Sequence, residues 1–100
     1  MAFFREHRPD HMATIEFTPN LSRHVACPKE ELDHATLAEL LDDYFRRWPD
    51  VRSFILDDQG AVRHHVKILV DGRNIGDRKH LSDRLEQSTR VHVFQALSGG

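Results

Sequence analysis

The sequence has a single cysteine, no long apolar run and no large excess of charge of either sign, and each shortage excludes a class of protein. Cys27 cannot form an internal disulfide, and it has no second thiol with which to hold a metal ion. No stretch approaches the roughly 20 apolar residues of a membrane span, and the opening residues are too charged for a signal peptide. We therefore expect a soluble protein of the reducing cytoplasm with no membrane partner.

The charges nearly balance, since 14 basic and 16 acidic residues give a formal net charge of -2. This balance leaves no positive field that would hold nucleic acid, so nucleic acid is not an expected partner. The 5 glycines form no phosphate-binding loop. The 8 histidines lack the spacing of metal-ligand motifs, and the neighbours His64 and His65 would point to opposite faces of a strand. We expect the chain itself to bind no metal and no cofactor.

The length of 100 residues allows one domain, whose amino-terminal part is predicted to contain two strands. We expect residues 1–12 to be a flexible extension, and either Met1 or Met12 is the natural start. Residues 13–18 alternate between apolar and polar, which indicates a half-buried strand. Residues 21–27 are predicted to return as a second strand.

A helix is predicted to begin after Thr36, because Thr36 and Glu39 have the spacing of a capping box. Asp43 and Arg47 form an acid-before-base pair four residues apart on the polar side, and Pro49 is expected to end the helix. Six apolar residues at helical spacing predict one buried stripe: Leu37, Leu40, Leu41, Tyr44, Phe45 and Trp48.

The carboxyl-terminal half is predicted to supply three more strands. Residues 61–70 alternate clearly, and Asp71-Gly72 is a strong hairpin signal because both central positions of the favoured turn need a positive φ. Residues 73–75 form a short returning strand, one irregular helical turn follows, and residues 90–97 form the last strand. One amphipathic helix can cover one face of such a sheet.

This element order predicts an α+β fold with a mixed sheet of four to five strands, covered on one face by one main helix. A right-handed crossover from the second strand through the helix favours a third strand that joins in parallel. The order and length are compatible with a ubiquitin-like β-grasp fold, with residues 13–97 as the domain.

The chain finishes on Leu97-Ser98-Gly99-Gly100, directly behind the last predicted strand. At average glycine usage, two terminal glycines arise by chance in roughly 0.5% of chains. We expect residues 98–100 to form a flexible tail.

Residues 36–100 resemble the MoaD/ThiS family of sulfur carriers, which includes the small subunit of molybdopterin synthase and the thiamine-pathway carrier. The resembling stretches are ATLAELLDDYFRRWPDVRSFILDDQG, VRHHVKILVDGRNIG and VHVFQALSGG, in the family's order. The family's usual Gly-Asp pair before the last strand is absent, and Gln95 and Ala96 replace the prolines of the family tail. The resemblance implies a ubiquitin-like β-grasp fold and a reactive terminal Gly-Gly.

The resemblance also implies what is done to that terminus. A MoeB/ThiF-like adenylating enzyme uses ATP to form an acyl-adenylate at Gly100, and a sulfur donor then converts it to a thiocarboxylate. The sulfur passes to a synthase subunit or another biosynthetic enzyme, so the chain is a carrier rather than an enzyme. Glycine suits both Gly99 and Gly100, because a backbone without Cβ can lie in a narrow channel and approach a reacting centre closely.

A carrier of this kind needs a surface that docks on its partner. The alternation of the last strand places His92 and Phe94 on the face opposite Val91 and Val93. We expect this docking face to combine Phe94 with Arg63, His65, Lys67 and His92, and we expect Leu97 and Ser98 of the tail region to contact the partner as well. The alternative is that Phe94 packs under a loop or under the amino-terminal extension.

Two other functions remain open from the sequence. Attack on the activated glycine by a lysine amine would make the protein a ubiquitin-like modifier. A plain β-grasp interaction module would never react at its glycines. The pathway that receives the sulfur also stays open, because several pathways use similar carriers.

Overall fold

A five-stranded sheet lies at the centre of the structure, a computed structural model that describes residues 11–95. The strands are β1 Met12–Phe17, β2 Glu30–Asp33, β3 Val66–Val70, β4 Arg73–Asn74 and β5 Thr89–Gln95. Their order across the sheet is β2-β1-β5-β3-β4. The helices are α1 Pro19–Ser22, α2 Leu37–Arg47 and α3 Arg52–Ile55, with a 3-10 turn at Pro49–Val51 before α3. The predicted α+β class with a mixed sheet is confirmed.

The core lies between one face of the sheet and helix α2. Alternate residues of the central strands are fully buried, among them Ile15 of β1, Ile68 of β3 and Val91 of β5. Helix α2 begins where the capping box predicts, since the Thr36 hydroxyl accepts the backbone N–H of Glu39 at 3.3 Å. The first five residues of the predicted stripe are buried: Leu37, Leu40, Leu41, Tyr44 and Phe45.

The predicted second strand is wrong. Residues 19–22 form the short helix α1 instead, because Pro19 has a φ suited to the first helical turn and lacks only an N–H that would have no partner there. Leu21 packs into the core from this turn, and the true second strand, β2, begins later at Glu30. β2 is acidic and buries only Leu32, so its sequence carries almost no apolar alternation.

The third strand joins the sheet in parallel with the second, as expected, but the two strands are not neighbours. β3 pairs antiparallel with β5, and the parallel pair of the sheet is β1 with β5. β3 does run in the same direction as β2, but β1 and β5 lie between them. The connection that runs from β2 through α2 to β3 therefore passes over two strand positions, which β1 and β5 occupy.

The hairpin after β3 forms as predicted, with Asp71 at φ 51 and Gly72 at φ 82. β3 is shorter than predicted and begins at Val66, because residues 63–65 form a turn whose backbone bond joins the Val66 N–H to the Arg63 carbonyl. Between β4 and β5 the Leu81 N–H donates to the Asp77 carbonyl at 2.9 Å, which closes a single helical turn at the start of the stretch where one was predicted. Leu81 there adopts a φ of 57 and is buried.

Cys27 is buried and unpaired, as expected for a small core residue, and burial raises the pKa of its thiol. No helix within residues 11–95 has the length and apolar character to cross a membrane.

Asp43 makes part of the stability depend on pH. Its carboxylate accepts hydrogen bonds from Arg47 Nε at 2.9 Å and His34 Nε2 at 2.8 Å, and these bonds lower the pKa of Asp43 below its ordinary value. Because the folded-state pKa is the lower one, this stabilisation is present above the pKa of an unfolded aspartate, about 3.9, and is lost as the pH falls through the folded-state pKa. We expect Asp43→Asn to cost roughly 0.5 kcal/mol at pH 7, and the difference from wild type to vanish once the pH falls below the folded-state pKa. Urea unfolding across this range measures it, and a difference that is constant with pH would contradict the assignment.

Candidate functional site

The outer face of the sheet carries one exposed aromatic side chain near the end of β5. Among residues 11–95, Phe94 is the one large apolar side chain that is exposed, at 40%. The register of β3 and β5 pairs Phe94 with Lys67, so the two side chains are neighbours on this face. The expectation that Phe94 and Lys67 share the face opposite the core is confirmed by this pairing.

His92 lies next to Phe94 on the same face and is held by a carboxylate from β1. The His92 Nε2 lies 3.2 Å from Glu16 Oε1, and the His92 and Phe94 rings are 6.3 Å apart. Glu16 pairs with His92 in the parallel register of β1 and β5. Glu16 is not among the expected site residues, because the adjacency of β1 and β5 is not visible in the sequence. Its outward position on β1 is the one signal that the sequence offers.

A small cavity of about 190 Å³ opens beside Phe94. It lies where β1 continues into α1, and its lining comes from both central strands: Glu16, Phe17, Thr18, Pro19, His92, Val93 and Phe94. Cavities that hold a small-molecule ligand usually measure about 300–1,000 Å³. The size of this cavity therefore suits an inserted partner side chain better than a cofactor.

Arg63 and His65 do not join Phe94 as neighbours on the strand, which corrects their expected placement. Arg63 Nε donates to the Ser53 carbonyl at 2.8 Å, which directs the guanidinium toward α3. His65 lies in the turn before β3, with its ring 5.7 Å from that of His64. Both residues lie at the end of the sheet rather than on its face, because β3 begins only at Val66.

The described part of the chain ends at this same end of the sheet. Gln95, the last described residue, pairs with Val66 of β3, and its backbone N lies 3.5 Å from Thr18 Oγ1. The expected site residues Leu97, Ser98, Gly99 and Gly100 lie outside the described residues, and their roles stay predictions. Five extended residues beyond Gln95 reach at most roughly 18 Å.

The described residues contain no cluster of three or more His, Cys, Asp or Glu side chains arranged to hold a metal ion.

Asp77 has the most strongly shifted pKa among the carboxyl groups of the loop between β4 and β5. Bonds from the Ser82 hydroxyl and the His80 backbone N–H lower the pKa of Asp77 to about 2. Both donors belong to the same loop as Asp77, so this carboxylate stabilises the loop conformation.

Comparison with known proteins identifies the fold. No family model and no curated protein sequence matches the chain. Among solved structures, 12 chains match.

Three solved structures illustrate the match. SAMP1 of Haloferax volcanii is 20% identical with a TM-score of 0.74, and the match covers 89% of this chain and 99% of that chain. A chain of the Amycolatopsis orientalis BexX/CysO complex is 17% identical with a TM-score of 0.73, covering 88% and 99%. Molybdopterin converting factor subunit 1 of Pyrococcus furiosus is 17% identical with a TM-score of 0.63, covering 87% and 99%. The neighbours have the ubiquitin-like fold of the MoaD/ThiS group, so the resemblance and the β-grasp prediction are confirmed at the level of fold.

Proposed function

We propose that this protein is a sulfur carrier of the MoaD/ThiS type, whose carboxyl-terminal Gly100 is adenylated by a partner enzyme and then converted to a thiocarboxylate. The observation that carries the proposal is the exposed Phe94 on a central strand, five residues ahead of a terminal Gly-Gly. An aromatic side chain surrounded by polar groups is a usual anchor for a protein partner.

The chemistry explains why activation by a partner is needed. A terminal carboxyl group has an ordinary pKa near 3.5, so at neutral pH it is an anion and a poor electrophile. In the proposed first step, a carboxylate oxygen of Gly100 attacks the α-phosphorus of ATP and pyrophosphate leaves. In the second step, a hydrosulfide-equivalent donor attacks the acyl carbon, a C–S bond forms, and AMP leaves with the electron pair of the broken C–O bond.

This chain contributes position rather than catalytic side chains. The folded domain binds the partner through Phe94, and the terminus enters the site where the partner holds ATP. Holding two reactants in a productive geometry accounts for a large share of a rate enhancement. The protein is thus a substrate of the adenylating enzyme and binds no cofactor of its own.

Two kinds of partner follow from the proposal. A MoeB/ThiF-like adenylating enzyme activates Gly100, and a synthase subunit or another biosynthetic enzyme accepts the sulfur. The solved BexX/CysO complex and the molybdopterin converting factor subunit are neighbours whose names support a biosynthetic partner. The free, buried Cys27 agrees with the reducing cytoplasm as the place of both reactions.

A second candidate function is protein modification. SAMP1 of Haloferax volcanii, whose structure matches this chain with a TM-score of 0.74, is named a small archaeal modifier protein. In this case a lysine amine of a target protein attacks the same acyl-adenylate, AMP leaves, and an isopeptide bond forms at Gly100.

The experiment that separates these functions is intact-mass measurement after incubation with a MoeB/ThiF-like enzyme, ATP and a sulfide donor. Replacement of one oxygen by one sulfur at the terminus supports the carrier. Conjugates to protein lysines formed in lysate, with no sulfur gain, support the modifier. An unchanged mass with enzymes that activate their own carriers contradicts both functions and favours a non-reactive module.

Phe94→Ala tests the docking role. We expect the KM of adenylation for the protein to rise about 10-fold to 30-fold with little change in kcat, because a binding anchor has been removed and the reacting group has not. The melting temperature should stay near that of wild type, because the ring is already exposed. Phe94→Leu is the matched control and should recover most of the affinity, whereas an unchanged KM for Phe94→Ala would contradict the docking role.

A further inference from the structure

Strand β2 lies at one edge of the sheet and pairs on one side only. Its neighbour there is β1, and the order β2-β1-β5-β3-β4 places no strand of residues 11–95 on its other side. In an antiparallel pair, opposite residues alternate between those that exchange backbone hydrogen bonds and those that do not. The His34 N–H donates to the His11 carbonyl at 3.3 Å, so this pair is a hydrogen-bonded position. Leu32 and Glu30, at every second residue from His34, therefore also bond to β1.

The intervening residues of β2 direct their backbone groups away from β1. Glu31 and Asp33 hold these positions, so their N–H and C=O groups point to the open side. A bond on β1 agrees with this alternation, because Met12, opposite Asp33, gives its carbonyl to the Ser88 N–H at 2.9 Å on the β5 side. Both residues are exposed, and the turns and loops within residues 11–95 make no backbone bond to either. We call this row of N–H and C=O groups of Glu31 and Asp33 the β2 edge.

The opposite edge of the sheet is shorter and is partly covered. β4 has 2 residues, and the Ile75 N–H after it donates to the Ile68 carbonyl of β3 at 3.2 Å. Further along β3, the Arg78 guanidinium donates to the Val66 carbonyl at 2.9 Å. These donors occupy the outer carbonyls of β3, whereas the β2 edge has no such cover among the described residues. An open edge of this kind is a template for pairing with another chain.

The side chains at the β2 edge are acidic. Glu31 and Asp33 point to the sheet face opposite the core, since the strand buries only Leu32 between them. Within residues 11–95 neither carboxylate forms an ion pair, and Asp33 Oδ1 accepts the His11 backbone N–H at 3.1 Å. Lys29, directly before β2, is the nearest basic residue along the chain. An incoming strand therefore meets negative charge at both edge positions.

A second acidic feature adjoins the end of β2. A cavity of about 430 Å³ opens there between the strand end and the exposed side of helix α2. Three carboxylates line it, those of Asp33, Glu39 and Asp42, together with two histidines and one arginine, Arg46. The lining thus favours a positively charged side chain that extends from a strand at the β2 edge.

We propose that the β2 edge binds an extended segment of a partner protein that carries lysine or arginine at alternate positions. The segment joins the sheet as an additional strand, bonded to the outward groups of Glu31 and Asp33. Its cations lie on the outer face beside the two carboxylates, because opposite charges on neighbouring strands stabilise the pair. Its other side chains point to the α2 side of the sheet, where Trp48 Nε1 donates to Glu30 Oε2 at 2.9 Å. This surface is separate from Phe94 and from the chemistry proposed for Gly100.

A second copy of this chain is a poor occupant of the β2 edge. Antiparallel pairing of two β2 strands about Leu32 would place Glu31 of one copy opposite Asp33 of the other. Like charges directly opposite each other destabilise a strand pair, and natural proteins use edge charges to prevent such self-pairing. A nucleic acid is excluded by the same negative charge. The edge therefore selects a basic polypeptide.

Amide hydrogen exchange on the complete free chain, followed by NMR, tests whether the edge is open. We expect the protection factors of Glu31 and Asp33 to be at least about 10-fold lower than that of Leu32, which pairs with Ala13 of β1. Equal protection of all three amides would show that another part of the chain already occupies the edge. That result would overturn the inference.

Peptide titration tests the occupant. The probe is a peptide of about seven residues that alternates lysine and valine, and the matched peptide has glutamate in place of lysine. We expect the lysine peptide to bind at least about 10-fold more tightly at low salt, with a smaller difference in about 0.5 M salt. Binding should also protect the Glu31 and Asp33 amides from exchange. Absence of binding, or equal binding of both peptides, would contradict the proposal.

Substitutions at one position separate the backbone from the charge. Glu31→Pro removes the outward N–H without removing a bond to β1, and Glu31→Lys reverses the charge at the same place. We expect the Kd of the lysine peptide to rise about 10-fold for each variant, with the melting temperature measured alongside. Asp58→Lys, at an exposed position in the turn after α3, makes the same charge change away from β2 and should leave the Kd unchanged. Glu31→Lys keeps the test decisive if Glu31→Pro does not fold.

The remaining outcomes also decide the proposal. An unchanged Kd in Glu31→Lys would place the peptide elsewhere on the protein and overturn the inference. Dimers of the wild-type protein in sedimentation, lost in Glu31→Lys, would assign the edge to a second copy and overturn it as well. None of these measurements uses ATP or an adenylating enzyme, so their failure leaves the proposed function of Gly100 untouched.

Discussion

Deletion of Gly100 should abolish adenylation while the domain remains folded. The shortened protein still ends in a carboxylate, that of Gly99, but this group lies one residue further from the partner's ATP, or about 3.4 Å in an extended chain. A misplacement of about 1 Å can cost a factor of roughly 100 in rate, so we expect a loss of at least 100-fold. The melting temperature should not change, because residue 100 lies beyond β5 and its pairing with β1 and β3.

The rate is best measured as AMP formation in single turnover, together with intact mass. Gly100→Ala keeps the length of the chain and adds one Cβ. A comparable loss of adenylation rate in this variant would show that the partner's site requires glycine at this position as well as the full chain length. His80→Gln serves as the unaffected control. Normal adenylation of the protein that lacks Gly100 would show that the activated group lies elsewhere.

Tyr44→Ala should be the most destabilising single substitution in helix α2. The ring is fully buried and packs against Phe17 at 5.0 Å and Phe45 at 6.0 Å. Removal of a large buried aromatic ring costs about 3–5 kcal/mol, which is a large part of the stability of a small domain. Urea unfolding followed by circular dichroism gives the difference in free energy of unfolding.

A matched variant separates the ring from its hydroxyl. The Tyr44 hydroxyl donates to the Pro28 carbonyl at 2.7 Å, which holds the loop before β2 against the helix. Tyr44→Phe removes this bond and should cost about 1–2 kcal/mol. Arg46→Ala, at an exposed position of the same helix, should stay within about 0.5 kcal/mol of wild type. A cost below about 1 kcal/mol for Tyr44→Ala would mean that the helix does not pack through this residue.

The parts of the structure that could be predicted from the sequence are those determined by neighbours along the chain. The capped start of α2 depends on Thr36 and Glu39, and the hairpin depends on Asp71 and Gly72, so short segments are enough to predict each of them. The outward position of Phe94 follows from simple alternation within one strand.

The parts that could not be predicted depend on contacts between distant segments. β2 has an acidic sequence and forms because its backbone pairs with β1 at the sheet edge, which apolar alternation cannot indicate. The adjacency of β1 and β5 determines that Glu16 meets His92, and the bond to Ser53 determines where Arg63 lies. The outward positions of Phe94, Lys67 and His92 could therefore be predicted from alternation, but the positions of Glu16 and Arg63 required the fold.

The parallel pairing of β1 and β5 has a consequence for biosynthesis. β5 fills a central position of the sheet, with β1 on one side and β3 on the other, yet among the strands of residues 11–95 it is the last to be made. Ile15 and Ile68 cannot close the core until Val91 and Val93 arrive between them. Folding is therefore completed only after the ribosome has released residues 89–95, and the segment that leads to Gly100 is made immediately after the strand that completes the core. A nascent chain that has not reached this point lacks the strand that carries His92 and Phe94.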